Sequence, residues 1–124
     1  MTPAITHPTM TEDDLQTAII SAAHVYGYRV AHFRPALTTK GWRTPVSADG
    51  KGFFDLVLAK PHRLIVVECK SEKGKLSPEQ EAWRDAVWGA CEAYTWRPID
   101  WIDGTVLRIL SMTERSSILG GSDG

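Results

Sequence analysis

At 124 residues, with 43% hydrophobic and 23% charged residues, the chain has the length and apolar content of one domain with its own core. A net charge of −1 argues mildly against a broad nucleic-acid-binding surface, although a local basic patch is enough to hold phosphates. With no run of about 18 apolar residues to span a membrane and no basic-then-apolar leader, a cytoplasmic protein is expected, with no membrane partner and no organic cofactor.

Residues 1–10 hold two prolines and little periodicity, and read as a flexible N-terminal tail. Thr11 then reads as an N-cap with acids in the first turn, and Leu15, Ile19, Ala22 and Tyr26 recur at helical spacing. The helix is expected to stop at Gly27. Glu12, three residues before Leu15, is expected on the core-facing side, although it also complements the helix dipole. Gln16, one turn later, reads as a polar flank. Tyr28–Phe33 reads as the first strand.

The stretch from Arg34 to Gly52 is longer than ordinary connections, which are short unless functional or disordered. It carries Arg34, Lys40, Arg43 and Lys51 against the single acid Asp49, with Trp42 among them. One reading is a solvated mobile loop. The other is a nucleic-acid contact that delivers a phosphate backbone to whatever follows.

Phe53–Ala59 and Leu64–Lys70 read as buried strands joined by the turn Lys60-Pro61-His62-Arg63. A symmetric turn pairs Lys60 with Arg63, which sets Asp55 opposite Glu68. Strand period two then puts Glu68 and Lys70 on one face, so the three charged groups converge. Glu-x-Lys on a strand is common as an exposed, salt-bridged face. Here the preceding residues Leu64, Ile65, Val66 and Val67 are all apolar, as in a central strand, where charges are costly to bury unpaired. Two like charges placed opposite each other call for a cation between them, and a divalent metal with Lys70 alongside answers that need.

Ser77 opens a second helix, with Pro78 at its first position and Gln80 completing a capping box. Gln80 follows closely enough on the Lys70 strand for its amide to serve the same site. Trp83, Val87 and Ala90 continue an apolar face. Ala93–Arg97 reads as the last strand, Ile99–Leu110 is open between helix and strand because Gly104 interrupts it, and residues 113–124 read as a disordered tail. The folded unit is therefore expected over residues 11–112. Cys69 and Cys91 form no CxxC pair and read as reduced, buried thiols. The histidines, His7, His24, His32 and His62, show no zinc-ligand spacing.

Asp55, a spacer, then Glu68-x-Lys70 resembles the core motif of the PD-(D/E)XK nuclease superfamily. The fuller pattern is similar to its VRR-NUC branch, in the stand-alone form of bacteria and phages. That branch has a glutamate on a first helix, here within Thr11-Glu12-Asp13-Asp14-Leu15-Gln16. It has a Gly-aromatic-Pro-Asp turn, here Gly52-Phe53-Phe54-Asp55. Its Glu-x-Lys is followed by a Gly-x-Leu-Ser-x-x-Gln segment, here Gly74-Lys75-Leu76-Ser77-Pro78-Glu79-Gln80. The likeness runs from about Thr11 to about Leu110. Phe54 stands where the family usually has proline, which loosens the approach to Asp55 but removes no ligand.

The resemblance implies an α/β fold with a restriction-endonuclease-like core, a mixed central β-sheet flanked by helices. It implies catalytic roles for Glu12, Asp55, Glu68, Lys70 and Gln80. Asp55, Glu68 and the Cys69 backbone carbonyl are implied as ligands of Mg²⁺, with Mn²⁺ able to substitute, and Glu12 either holds a second metal or positions Lys70. Arg34, Lys40, Trp42, Arg43, Lys51, Lys73 and Lys75 are the expected DNA contacts. The implied activity is a structure-directed DNA endonuclease acting as a homodimer on four-way or other branched DNA, inside a bacterial or phage-infected cell. A flap-directed, end-directed or restriction-type nuclease is the alternative, and a non-catalytic nucleic-acid-binding module a further one. Of the five tryptophans, Trp83 is expected in the core, and Trp88 and Trp101 are candidates for a dimer interface.

Overall fold

Helix α1 (Glu12–Val25) begins where the Thr11 side chain accepts from the Asp14 N–H while the Asp14 carboxylate accepts from the Thr11 N–H, each at 3.0 Å. The computed structural model, which describes residues 9–113, continues through β1 (Arg29–His32), β2 (Ala36–Thr38), β3 (Gly41–Arg43), β4 (Leu56–Lys60) and β5 (Arg63–Cys69). Then follow α2 (Pro78–Val87), β6 (Glu92–Trp96), α3 (Pro98–Ile102) and α4 (Thr105–Ser111). The fold is mixed α/β. Its central sheet has the order β1-β4-β5-β6, antiparallel except for the parallel β5–β6 pair, which α2 connects. A two-stranded hairpin, β2–β3, stands apart from it. Among the described residues no helix is long and apolar enough to cross a membrane.

Alternation along β4 and β5 divides the chemistry between two faces. Leu56, Leu58, Ile65, Val67 and Cys69 face one way and form the core with Leu15, Ile19 and Ala23 of α1, Trp96, and Val106, Ile109 and Leu110 of α4. Val57, Val66 and Glu68 face the other way, where the first turn of α2 meets Glu68 through Gln80 and the end of α2 leads into β6. No residue of α2 is fully buried, and Leu64, at the far end of that face, is exposed.

The β4–β5 turn pairs Lys60 with Arg63, as expected, with His62 in the left-handed region at φ 67°. The strand bounds differ from the sequence expectation: Phe53, Phe54 and Asp55 precede β4 rather than belong to it. Tyr26 is exposed where the apolar stripe predicted burial, and Ala23 takes its place in the core, because 3.6 residues per turn rotates the inner face along the helix. The 34–52 stretch is not a plain loop, since it contains β2 and β3. The ambiguous 99–110 segment is two short helices broken at Gly104, whose φ of 85° only glycine adopts without strain. Trp83 is half-buried outside the main core: its indole N–H donates to the Asp49 carbonyl at 2.9 Å and its ring meets Phe53 edge-on at 4.9 Å. Trp101 packs against the core rather than standing free, whereas Trp88 is exposed. The expected tails fall almost entirely outside the described residues, although Met10 packs against the core.

One polar cluster interrupts the core face. Arg63 donates through Nε and an Nη to both carboxylate oxygens of Glu92, at 2.7 and 2.8 Å, and through its other Nη to the Tyr28 hydroxyl and the Met112 carbonyl. Tyr94 Oη also donates to Glu92. Arg63 and Glu92 are almost fully buried.

Candidate functional site

Asp55 lies one residue before the Leu56–Val67 pair, and its carboxyl is close enough to that of Glu68 for the two to interact. Asp55 is fixed at both ends of the residue. Its carbonyl accepts from the Phe33 N–H at 2.9 Å, and its carboxylate Oδ2 accepts from the Cys69 N–H at 2.8 Å. Glu68 is 4% exposed. Its Oε2 accepts from Gln80 Nε2 at 3.0 Å and lies 3.5 Å from Lys70 Nζ. Gln80 thus does two things at once, because its Oε1 caps α2 by accepting from the Ser77 N–H at 2.8 Å. The capping box anchors the helix and its amide nitrogen holds Glu68.

The approach to Asp55 depends on Gly52. Its φ is +82°, and an added Cβ would lie 2.6 Å from the Glu79 Cβ and 2.9 Å from the Gln80 nitrogen. The first turn of α2 therefore rests directly on the Gly52 backbone. Phe54, at the position where proline was expected, is buried.

Charge in this site is poorly compensated. Burial pushes the Glu68 carboxyl up to about 8, the negative charge of Asp55 adds to the rise, and Lys70 pulls against it. Asp55 is also raised, chiefly by burial, against the Cys69 N–H and Lys70. The Cys69 thiol, on the opposite face of the strand, is raised by burial and then by Asp55, Glu68 and Glu12. Near neutral pH the two carboxyls therefore hold a proton between them unless another cation is supplied. Among the described residues no three His, Cys, Asp or Glu side chains gather as a metal cage. A pair of carboxylates is nevertheless what Mg²⁺ ordinarily takes from protein, the rest of its shell being water, carbonyl or phosphate oxygen. Hard oxygen donors, held opposed and short of positive charge, fit that ion.

Two cavities meet at Asp55. The first, of about 630 Å³, is lined by Glu12, Gln16, His32, Arg34, Trp42 and Asp55 among others. The second, of about 940 Å³, includes Phe33, Trp42, Arg43, Lys51, Phe53, Asp55 and Gln80. Glu12 is exposed at the helix N-terminus, not on the core-facing side as the spacing suggested. It shares the first cavity with Asp55. Arg34, Trp42, Arg43 and Lys51 line one or both cavities, with Lys51 also 3.4 Å from Glu79. Lys40 sits in the turn of the β2–β3 hairpin, and Lys73 and Lys75 are exposed on the loop before α2, none of the three lining either cavity.

Two residues that the sequence did not single out belong here. His32 lines the first cavity and shares a 2.8 Å hydrogen bond with Gln16 Oε1. Burial, then Arg34, lowers its pKa against the opposing pull of Asp55, so its ring is neutral at neutral pH. Its place as the last residue of β1, paired with Leu56 next to Asp55, was the available signal, but that pairing is visible only once the sheet order is known. Arg97 donates from one Nη to the Ser71 and Gly74 carbonyls, each at 2.6 Å, and so pins the loop that leaves Lys70. No sequence pattern marks it. No protein-family model matches the chain, and no curated sequence does.

Proposed function

We propose that this protein is a metal-dependent DNA endonuclease with a PD-(D/E)XK core of the VRR-NUC kind. The observation that carries the reading is the approach of Asp55, immediately before β4, to Glu68 on β5, with Lys70 3.5 Å from Glu68 and both carboxyls raised by burial. Buried like charges of this sort are costly to fold and serve no packing purpose, and such groups cluster at functional sites.

In this reading Asp55, Glu68 and the Cys69 carbonyl would hold Mg²⁺, or Mn²⁺ in its place. When bound, the ion lowers the pKa of water and neutralises charge on the phosphate. The protein's own groups do the rest. Gln80 keeps Glu68 turned towards the site and the Cys69 N–H keeps Asp55 there. Lys70 presents a compact positive charge that orients the attacking water and stabilises the negative charge growing on the phosphate oxygens. The water oxygen forms the new bond to phosphorus and the sugar oxygen leaves with a proton. Glu12, which lines the first cavity with Asp55, would hold a second ion or position Lys70. Arg34, Lys40, Arg43 and Lys51, with Lys73 and Lys75, supply the phosphate contacts.

The proposed substrate is branched DNA, a four-way junction above all, met by a homodimer whose two sites nick paired strands. The exposed indole of Trp88, at the end of α2, supports an apolar interface between copies. The test is Mg²⁺-dependent cleavage of four-way junctions, flaps, splayed arms and plain duplex, with dimer mass by light scattering. Asp55→Ala and Glu68→Ala are each expected to abolish cleavage and weaken Mg²⁺ binding by calorimetry. Lys70→Ala is expected to abolish cleavage with metal affinity kept or raised, since a neighbouring positive charge is gone. Full activity in Asp55→Ala sinks the site. A monomer that trims flaps or free ends equally well removes the junction substrate and leaves the nuclease.

A further inference from the structure

The β2–β3 hairpin is built to hold an aromatic surface away from the core. Leu37 and Trp42 are direct cross-strand partners and so share a face, where they are 69% and 65% exposed. The turn is closed locally: Thr38 Oγ1 donates to the Gly41 carbonyl at 2.7 Å and accepts from the Lys40 N–H at 3.1 Å. Two strands alone are marginally stable, so an apolar face left bare on them is one that meets something else.

What it meets is indicated by its surroundings. No acidic residue occurs from Phe33 to Ala48, whereas Arg34, Lys40 and Arg43 do. The 940 Å³ cavity that Trp42 shares with Asp55 has aromatic walls in Phe33 and Phe53, cations in Arg43 and Lys51, and Asp55 as its one acid. Its volume lies within the range of about 300–1,000 Å³ found for small-ligand pockets. Aromatic rings interleaved with cations are the surface that single-stranded nucleic acid uses, the rings for bases and the cations for phosphates. An apolar peptide would bring Arg43 no counter-charge, whereas Lys51 already has Glu79 at 3.4 Å.

We infer that this cavity is a base pocket, which takes one unpaired nucleobase of the DNA strand being cut and stacks it on Trp42. The inference rests on the proposed nuclease reading for its substrate and narrows that substrate. A base inside a duplex has both faces covered by its neighbours, and extruding it costs least where it is already unpaired, at a branch, a mismatch or an end. Because the pocket opens on Asp55, the phosphate beside the captured base lies at that carboxylate. The preference for branched DNA then comes from this pocket.

The test measures binding by fluorescence anisotropy in EDTA, with the full-length protein, a labelled short oligothymidine and a fully paired duplex. Trp42→Ala is expected to weaken oligothymidine binding by about 5- to 150-fold, while duplex binding stays within about twofold. Trp42→Phe, which keeps a ring, is expected to restore most of the loss. Equal losses on both DNAs, or none, overturn the pocket. So does a Trp42→Ala protein that no longer folds, because Trp42 would then be packing rather than waiting for a base. Cleavage is scored separately. Failure to cut any DNA, with Trp42-dependent oligothymidine binding intact, removes the nuclease reading and keeps the pocket. Cleavage with Trp42-independent binding does the reverse.

Discussion

At one end of β5 Arg63 meets Glu92, and near the other end Glu68 meets Asp55, on the opposite face of the same strand. The first cluster is fully answered. Each carboxylate oxygen of Glu92 has an Arg63 donor, and the other Nη donates to Tyr28 and Met112. Burial works against the Arg63 charge, yet the bonds to Glu92 more than reverse it and the net shift favours ionisation. In the second cluster burial and like charge act together, and Lys70 only partly offsets them. Glu68, like Glu92, is buried, but the balance of charge around the two is not the same. A charge-balanced buried pair holds the fold in one arrangement, and one short of positive charge is where a cation would bind under the proposed function.

The largest expected effect separates the two clusters by stability. Arg63→Ala or Glu92→Ala leaves a buried charge unpaired and is expected to cost about 3–5 kcal/mol by urea unfolding. Replacing both together, with Arg63→Met and Glu92→Leu, is expected to recover most of that, as apolar replacements of buried pairs often do. In the metal-free protein Asp55→Ala is expected to cost little or to stabilise, because it relieves repulsion on Glu68. If Asp55→Ala destabilises as much as Arg63→Ala, the contrast fails.

The next effect is in pH. The folded-state pKa of Glu68 is raised from 4.5 to about 8, so the folded state binds this proton more tightly than the unfolded chain does. Its contribution to stability is therefore fully present below about 4.5 and is lost as pH rises through about 8. The melting temperature of the metal-free protein, measured relative to Glu68→Gln, is expected to fall across that window. Mg²⁺ is expected to stabilise more at the alkaline end, where it competes with no proton. A flat difference with no Mg²⁺ dependence means that Glu68 is already compensated.

A smaller effect sharpens the geometry. Gly52→Ala meets the Glu79 and Gln80 backbone at under 3 Å and occupies a left-handed conformation. It is expected to cost about 1–3 kcal/mol in unfolding. By shifting the start of α2 it is also expected to slow cleavage, since Gln80 then leaves Glu68. Unaltered cleavage in that variant would show that the Gln80–Glu68 bond is incidental.

The turn Lys60-Pro61-His62-Arg63 was legible because a two-residue connection fixes its own register, and from that register the opposition of Asp55 and Glu68 follows by counting. Ser77, Pro78 and Gln80 were legible for a similar reason: a capping box is satisfied within four residues. The hairpin at Ala36–Arg43 was not. Its strands are three residues each, its turn lacks the Asn-Gly or Asp-Gly pair that marks tight hairpins, and exposure erases the apolar alternation that reveals strands. Glu12 was misplaced because at the first position of a helix the side chain faces the opening of the cavity, whatever its phase relative to Leu15.

The sequence by itself therefore determined the local pieces: the caps of α1 and α2, the β4–β5 register, and the face shared by Glu68 and Lys70. Each rests on hydrogen bonds or side-chain periodicity between near neighbours. Only the tertiary structure decided that β1 joins β4 and brings His32 beside Asp55, that β6 runs parallel to β5 and delivers Glu92 to Arg63, and that Trp42 stands over a cavity opening on Asp55. Those are pairings between segments far apart in the chain, and they are set by which apolar faces bury against one another, a competition that no local pattern records.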